Sequence, residues 1–151
     1  MTIDDSPPPP LPARDPAGHK GTFGTTLVVG GSAEPGATMI GAPALAARAA
    51  LRSGTGLARI LAPAPILNET LVLCPSATAA SLPTDPHGRT LASPAAEIFD
   101  RETARASAIV IGCGMGPRGA TPALALRAIQ FEDAPVIANA DALNALADLP
   151  D

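Results

Sequence analysis

Four short apolar runs, Thr25–Val29, Leu57–Leu61, Ala108–Ile111 and Pro135–Ala138, are separated by stretches long enough for a helix. No other feature constrains the fold as strongly. Parallel strands can be joined only by a crossover, usually a helix, and a strand covered on both faces reads as a nearly continuous apolar run. The alternation therefore predicts an α/β fold, a parallel sheet with helices on both faces.

The connecting stretches carry helix signals. Gly41–Ser53 is rich in Ala and Leu, spaces Arg48 and Arg52 one turn apart, and meets Gly54 as a stop. Ser93-Pro94 reads as an N-cap followed by a proline in the first turn, opening a helix towards Arg105. Thr121-Pro122 opens another through Gln130, and Asp141 starts a last helical turn or two. Residues 63–92, dense in Pro, Thr and Ser, are expected to be mostly loop with a short strand at Thr70–Leu73. Residues 1–17 include Pro7 to Pro10 in a row and are expected to form a proline-rich tail or arm. Residues 18–151 would then be the folded part.

Composition narrows the function classes. The chain has 151 residues, 46% of them hydrophobic, yet only three Phe and no Tyr or Trp. Its core must rest on Leu, Ile, Val and Ala. A net charge of −4 gives no electrostatic reason to expect nucleic acid or an anionic membrane as partner. No apolar run approaches the ~20 residues of a membrane span. The acidic start Met1-Thr2-Ile3-Asp4-Asp5 is unlike a secretory signal. Cys74 and Cys113 show no paired-ligand spacing, so they read as reduced thiols in a cytoplasmic protein.

Ligands of open α/β sheets bind beyond the carboxyl ends of the strands. Three segments fall there: Gly30-Gly31-Ser32, Gly112 to Gly116, and Asn139-Ala140-Asp141. Glycines let backbone approach a ligand, and an aspartate after a strand can accept a hydroxyl hydrogen bond. Each segment by itself is as well explained by a tight strand-to-helix turn. Gly114-x-Gly116-x-x-Gly119 matches the dinucleotide fingerprint in form only, because it follows the third apolar run and contains Pro117. Lys20, in the entry segment His19-Lys20-Gly21, offers a cation for phosphate, although a solvated entry is the commoner reason for such a pair. His87 reads as a surface-turn residue, and Asp85, Asp100 and Glu102 as solvated charges. No nucleophile–base set and no metal-ligand spacing is present.

In combination these segments resemble the ADP-dependent NAD(P)H-hydrate dehydratases. The resemblance rests on His19-Lys20-Gly21-x-x-Gly24, the strand into Gly30-Gly31-Ser32, Gly41-Ala42-Pro43 and Ala49-Ala50-Leu51-Arg52-Ser53-Gly54-Thr55-Gly56-Leu57. It extends to Gly112-Cys113-Gly114-Met115-Gly116, similar to the family's Gly-Pro-Gly-Leu-Gly turn, and to Asn139-Ala140-Asp141-Ala142-Leu143-Asn144, similar to its Asp-Ala-Asp-Ala-Leu-Asn motif. Order and spacing agree from about Leu11 to Leu149.

The resemblance implies a ribokinase-like fold and repair of hydrated NADH or NADPH, dehydrated at the expense of ADP with Mg²⁺ supporting the nucleotide. It implies that Ala42 touches the hydrated dinucleotide, that Gly116 or Gly114 lets backbone approach it, and that Asp141 faces the same crevice. Gly36-Ala37 offers a rival register for Gly41-Ala42. Asn139 stands where the family has an aspartate, and Cys113 where it has a proline. The family's ADP site, its Gly-Thr-Gly-Asp loop with the catalytic base, and its His-Pro-x-x-Glu segment have no counterpart in these residues. The chain is thus expected to be an N-terminal part of such a domain, ending after about the fourth strand. It is expected to be inactive alone, with a C-terminal half or a second copy as partner. Two alternatives stand beside this: a non-catalytic dinucleotide-binding or subunit-pairing module, and a ribokinase-like small-molecule kinase.

Overall fold

The computed structural model describes residues 6, 7, 10 and 13–149. Most of the expected proline-rich arm lies outside the described residues, as do Pro150 and Asp151.

The described residues build one parallel sheet of five strands. These are β1 (Thr25–Gly30), β2 (Leu57–Pro63), β3 (Thr78–Leu82), β4 (Ala108–Cys113) and β5 (Val136–Ala138), in the order β3-β2-β1-β4-β5. Among the described residues four helices connect them, α1 (Gly41–Ser53), α2 (Leu67–Leu73), α3 (Ala92–Thr103) and α4 (Thr121–Ile129), and α5 (Asp141–Ala147) follows β5. The parallel α/β architecture follows the expectation, with two corrections between residues 63 and 92. Thr70–Leu73 is helical, not a strand: Thr70 is fully buried and its hydroxyl donates to the Ile66 carbonyl one turn back, so a β-branched residue is satisfied within a helix. The strand is Thr78–Leu82, an Ala- and Ser-rich segment with weak intrinsic preference. Pairing with β2 from Arg59↔Thr78 to Pro63↔Leu82, together with burial of Leu82, makes it a strand. A third difference is small. α3 begins at Ala92 and no side chain caps it, so Ser93 lies inside the helix instead of before it.

Alternation along the strands divides the core into two layers. Leu27, Val29, Leu61, Ile109 and Ile111 face α3, α4 and α5, where Phe99 and Leu124 are fully buried. Val28, Ile60 and Ala62 face α1 through Ala44 and Ala47, and α2 through Ile66 just before it and Leu67 and Leu71 within it. α1 stops where expected: Gly54 is left-handed at φ 109°, and the amides of Gly54 and Thr55 return to the Leu51 and Ala50 carbonyls.

Cover on the second face is incomplete. Ile60, Val28, Val110 and Ile137 form one row across the sheet by their pairing. The first two are wholly buried, whereas Ile137 is 60% exposed. α1 and α2 lie over the β3-to-β1 side, and among the described residues no helix covers β5 on this face.

Candidate functional site

The carboxyl ends of β1, β4 and β5 meet at one end of the sheet. β4 leaves through Cys113 into a glycine turn, β5 leaves through Asn139 and Ala140, and α1 starts nearby with Ala42 and Met39 alongside. Together they border an open groove of about 660 Å³. One wall is Leu45, Ala46 and Ala49 of α1; the floor is Val110 and Ile137; the end is Cys113, Gly114, Asn139 and Asp141. The lining is apolar apart from Asn139, Asp141 and the Cys113 thiol. Burial pushes that thiol up, against a weaker downward effect of its own backbone hydrogen bond. Cys113 is therefore a neutral lining group near pH 7, and both cysteines are free.

Local hydrogen bonds hold the end of the groove. The Asn139 amide donates to the Ile111 carbonyl, and the Ala142 amide donates to the Asn139 carbonyl, each near 3.0 Å. The Gly116 amide donates to Asp141 Oδ2 at 2.9 Å, joining the β4 turn to the start of α5. A side chain on Gly114 would strike Met39, whereas one on Gly116 would meet no atom within 4 Å. Gly114 is thus needed for close packing, and Gly116 faces open space.

The expected site residues separate into two groups. Ala42, Gly114 and Asp141 lie together on the groove, and Gly116 joins them through its hydrogen bond. Gly41-Ala42-Pro43 opens α1, whereas Gly36 sits in the preceding loop. The Gly30-Gly31-Ser32 junction offers less than its composition suggests. The Gly31 amide is taken by the Cys113 carbonyl at 2.9 Å and the Ser32 amide by the Met39 carbonyl at 3.2 Å. These glycines serve the close approach of β1 to the end of β4, since a side chain on Gly30 would lie 2.6 Å from the Cys113 carbonyl.

Lys20 lies before β1, at the opposite end of the parallel sheet, where its carbonyl crowds Gly56. His19 Nδ1 accepts from the Gly21 amide, closing a local turn. His87 sits in a surface turn in which Asp85 accepts from the His87 and Arg89 amides, and those contacts lower the Asp85 carboxyl's pKa. Glu102 was expected to be a solvated charge and is instead held by Arg59, which donates from Nε at 2.8 Å and from Nη2 at 3.1 Å. These donors hold the Glu102 carboxyl below its usual range against the opposing effect of burial, and raise Arg59 in turn. A second depression, of about 630 Å³, lies beside this pair at the amino ends of the strands. Arg59 and Glu102 neutralise each other there, Arg101 and Arg105 complete its charged lining, and the sheet presents ligand sites at the other end.

Donor chemistry bears on what the groove can hold. Among the described residues no three His, Cys, Asp or Glu side chains gather as a metal site. The groove's lining holds one carboxylate and no cation. A divalent ion with a diphosphate therefore does not fit these residues, and no step is assigned to Mg²⁺ here. An uncharged ring with its ribose fits an apolar wall ending in backbone groups.

Comparison with known proteins places this geometry. The fold is ribokinase-like: an Enterococcus faecalis ribokinase-like superfamily protein superposes with a TM-score of 0.71 at 19% identity, over 89% of this chain and 43% of that one. The NAD(P)H-hydrate dehydratase family matches residues 26–151, and the chain belongs to it. It is 40% identical to the ADP-dependent (S)-NAD(P)H-hydrate dehydratase of Neisseria meningitidis, over 89% of this chain and 40% of that protein. It is 37% identical to the bifunctional NAD(P)H-hydrate repair enzyme of Salinibacter ruber, over 90% of this chain and 24% of that protein. The ADP/ATP-dependent NAD(P)H-hydrate dehydratase of Bacillus subtilis, co-crystallised with ATP and Mg²⁺, superposes with a TM-score of 0.64 at 30% identity, over 88% of this chain and 43% of that one. The chain thus spans less than half the length of these relatives.

Proposed function

We propose that this chain forms the dinucleotide-facing part of an enzyme that dehydrates (6S)-NADHX or NADPHX to NADH or NADPH, with ADP as co-substrate. Family membership supports the activity class, and the apolar groove at the carboxyl ends of β4 and β5 supports the assignment of its substrate side. In the overall reaction the ring hydroxyl is phosphorylated by ADP and leaves as phosphate. The products are the reduced dinucleotide, AMP and phosphate.

Ala42, Gly114 and Gly116 are assigned to contact with the substrate, and Asp141 to the same crevice, where it faces the glycine turn. The small side chain of Ala42 leaves room at the start of α1, and the glycine turn brings backbone close. The hydrated nicotinamide ring carries no net charge, so an apolar wall can hold it without stranding a charge away from water. Positioning is therefore the contribution of these residues, worth several orders of magnitude where geometry is well held. The ADP site, Mg²⁺ and the catalytic base fall to segments these residues do not include. Free cysteines and the absence, among the described residues, of a helix able to cross a membrane are compatible with the cytoplasmic location we assign.

The test is turnover by the protein expressed from its own gene, with (6S)-NADHX and ADP, followed by NADH absorbance. Formation of NADH that requires ADP supports the reading, and Ala42→Leu should then raise KM more than it lowers kcat. Saturable NADPH binding with no turnover would instead leave a non-catalytic dinucleotide-binding module.

A further inference from the structure

We infer that Asp141 is a positioning residue: its carboxylate braces the β4 glycine turn through the Gly116 amide, and its effect on the dinucleotide passes through that turn. The inference deepens the proposed function and rests on it for the identity of the ligand. After β4 the chain runs through Gly114, Gly116 and Gly119, all left-handed, at φ 70°, 74° and 65°. A turn of this kind has many accessible conformations unless something holds it. Met115 packs against the core beside it, but nothing lies against the outer face of Gly116 itself, where an added side chain would find no atom within 4 Å. The hydrogen bond from its amide to Asp141 Oδ2, 2.9 Å long and spanning 25 residues of sequence, is the tether the structure provides.

The carboxylate is itself fixed. Asp141 opens α5, and the residue before it, Ala140, has φ 43° and ψ −108°, the one described non-glycine with positive φ. Such a conformation persists only where its surroundings over-determine it. Here the Asn139 amide is bound to the Ile111 carbonyl, and the Asn139 carbonyl accepts from Ala142. The β5 exit is thus a fixed post, and the β4 turn is tied to it at Gly116. A turn already held in its binding geometry loses less freedom when a ligand arrives.

The experiment compares Asp141→Ala and Asp141→Asn in the protein expressed from its own gene, with NADPH as the binding probe and hydrogen exchange of the Gly116 amide read by NMR. Asparagine keeps an oxygen that can accept from Gly116, so this variant should retain the brace. We expect Asp141→Ala to unprotect the Gly116 amide and weaken NADPH binding about tenfold, with Asp141→Asn close to the parent in both. Unchanged protection in Asp141→Ala overturns the brace. Equal loss of NADPH affinity in both variants, with Gly116 still protected in Asp141→Asn, overturns it too, because the charge would then act on the ligand directly. Protection that follows the brace in a protein that never binds NADPH supports the brace and rejects the dinucleotide reading together with its coupling to the turn.

Discussion

Gly112, near the end of β4, and Gly116, in the turn after it, stand four residues apart and carry different constraints. A side chain on Gly112 would collide with the Asn139 carbonyl and come within 2.7 Å of Ala142 Cβ, on a backbone with φ 109°. Gly116 has φ 74° and open space. Gly112→Ala should therefore cost about 3 kcal/mol, an overpacking penalty added to backbone strain. Gly116→Ala should cost about 1 kcal/mol, the strain alone. Chemical denaturation of both variants checks the order, and equal losses would contradict the steric argument. Composition alone treats these glycines as equivalent. Their separate roles arise from Asn139 and Ala142, which the chain reaches only after another helix and strand.

At the scale of elements, the joint between the sheet and α3 is anchored by an apolar and an ionic contact. Phe99 is buried in the layer under α3, and Phe99→Ala should destabilise by about 3–5 kcal/mol, measured by denaturation. Arg59 of β2 grips Glu102 near the end of the same helix. Because the folded state holds Glu102 below its ordinary pKa, its stabilisation is present at neutral pH and fades as pH falls through the folded value. Melting temperature should accordingly decline on acidification, and less steeply in Glu102→Gln. An identical slope in both would show that the pair contributes nothing to acid sensitivity. The short Thr78–Leu82 strand belongs to this scale as well. Its Ala and Ser residues carry no strand signal, and the hydrogen-bonding edge of β2 supplies what their propensity does not.

For the whole molecule, the uneven cover of the sheet dominates. Parallel sheets are normally covered on both faces, yet the row from Ile60 through Val28 and Val110 ends in an exposed Ile137, with Leu45 of α1 64% exposed beside it. With the groove empty, the isolated 151-residue chain should bury this strip, which includes the groove's Leu45 wall and Ile137 floor, by associating with a second copy, giving a mass that rises with concentration in light scattering. Leu45→Glu combined with Ile137→Glu should lower that association. A monodisperse monomer with a sharp melt in the parent chain would contradict the expectation.

What the chain determined by itself is the alternation of apolar runs and helical stretches, and with it the parallel α/β class, because period and length are local properties of sequence. The spacing of Gly41-Ala42, Gly112 to Gly116 and Asn139 to Asp141 likewise carried the family resemblance and the candidate crevice. Only tertiary structure decided that Thr70 belongs to a helix, that Thr78–Leu82 is a strand, and that the Gly31 and Ser32 amides are already occupied by Cys113 and Met39. It alone joined Gly116 to Asp141 and Arg59 to Glu102. Each of these depends on partners distant in sequence, brought together when burying the two apolar layers aligns the strands.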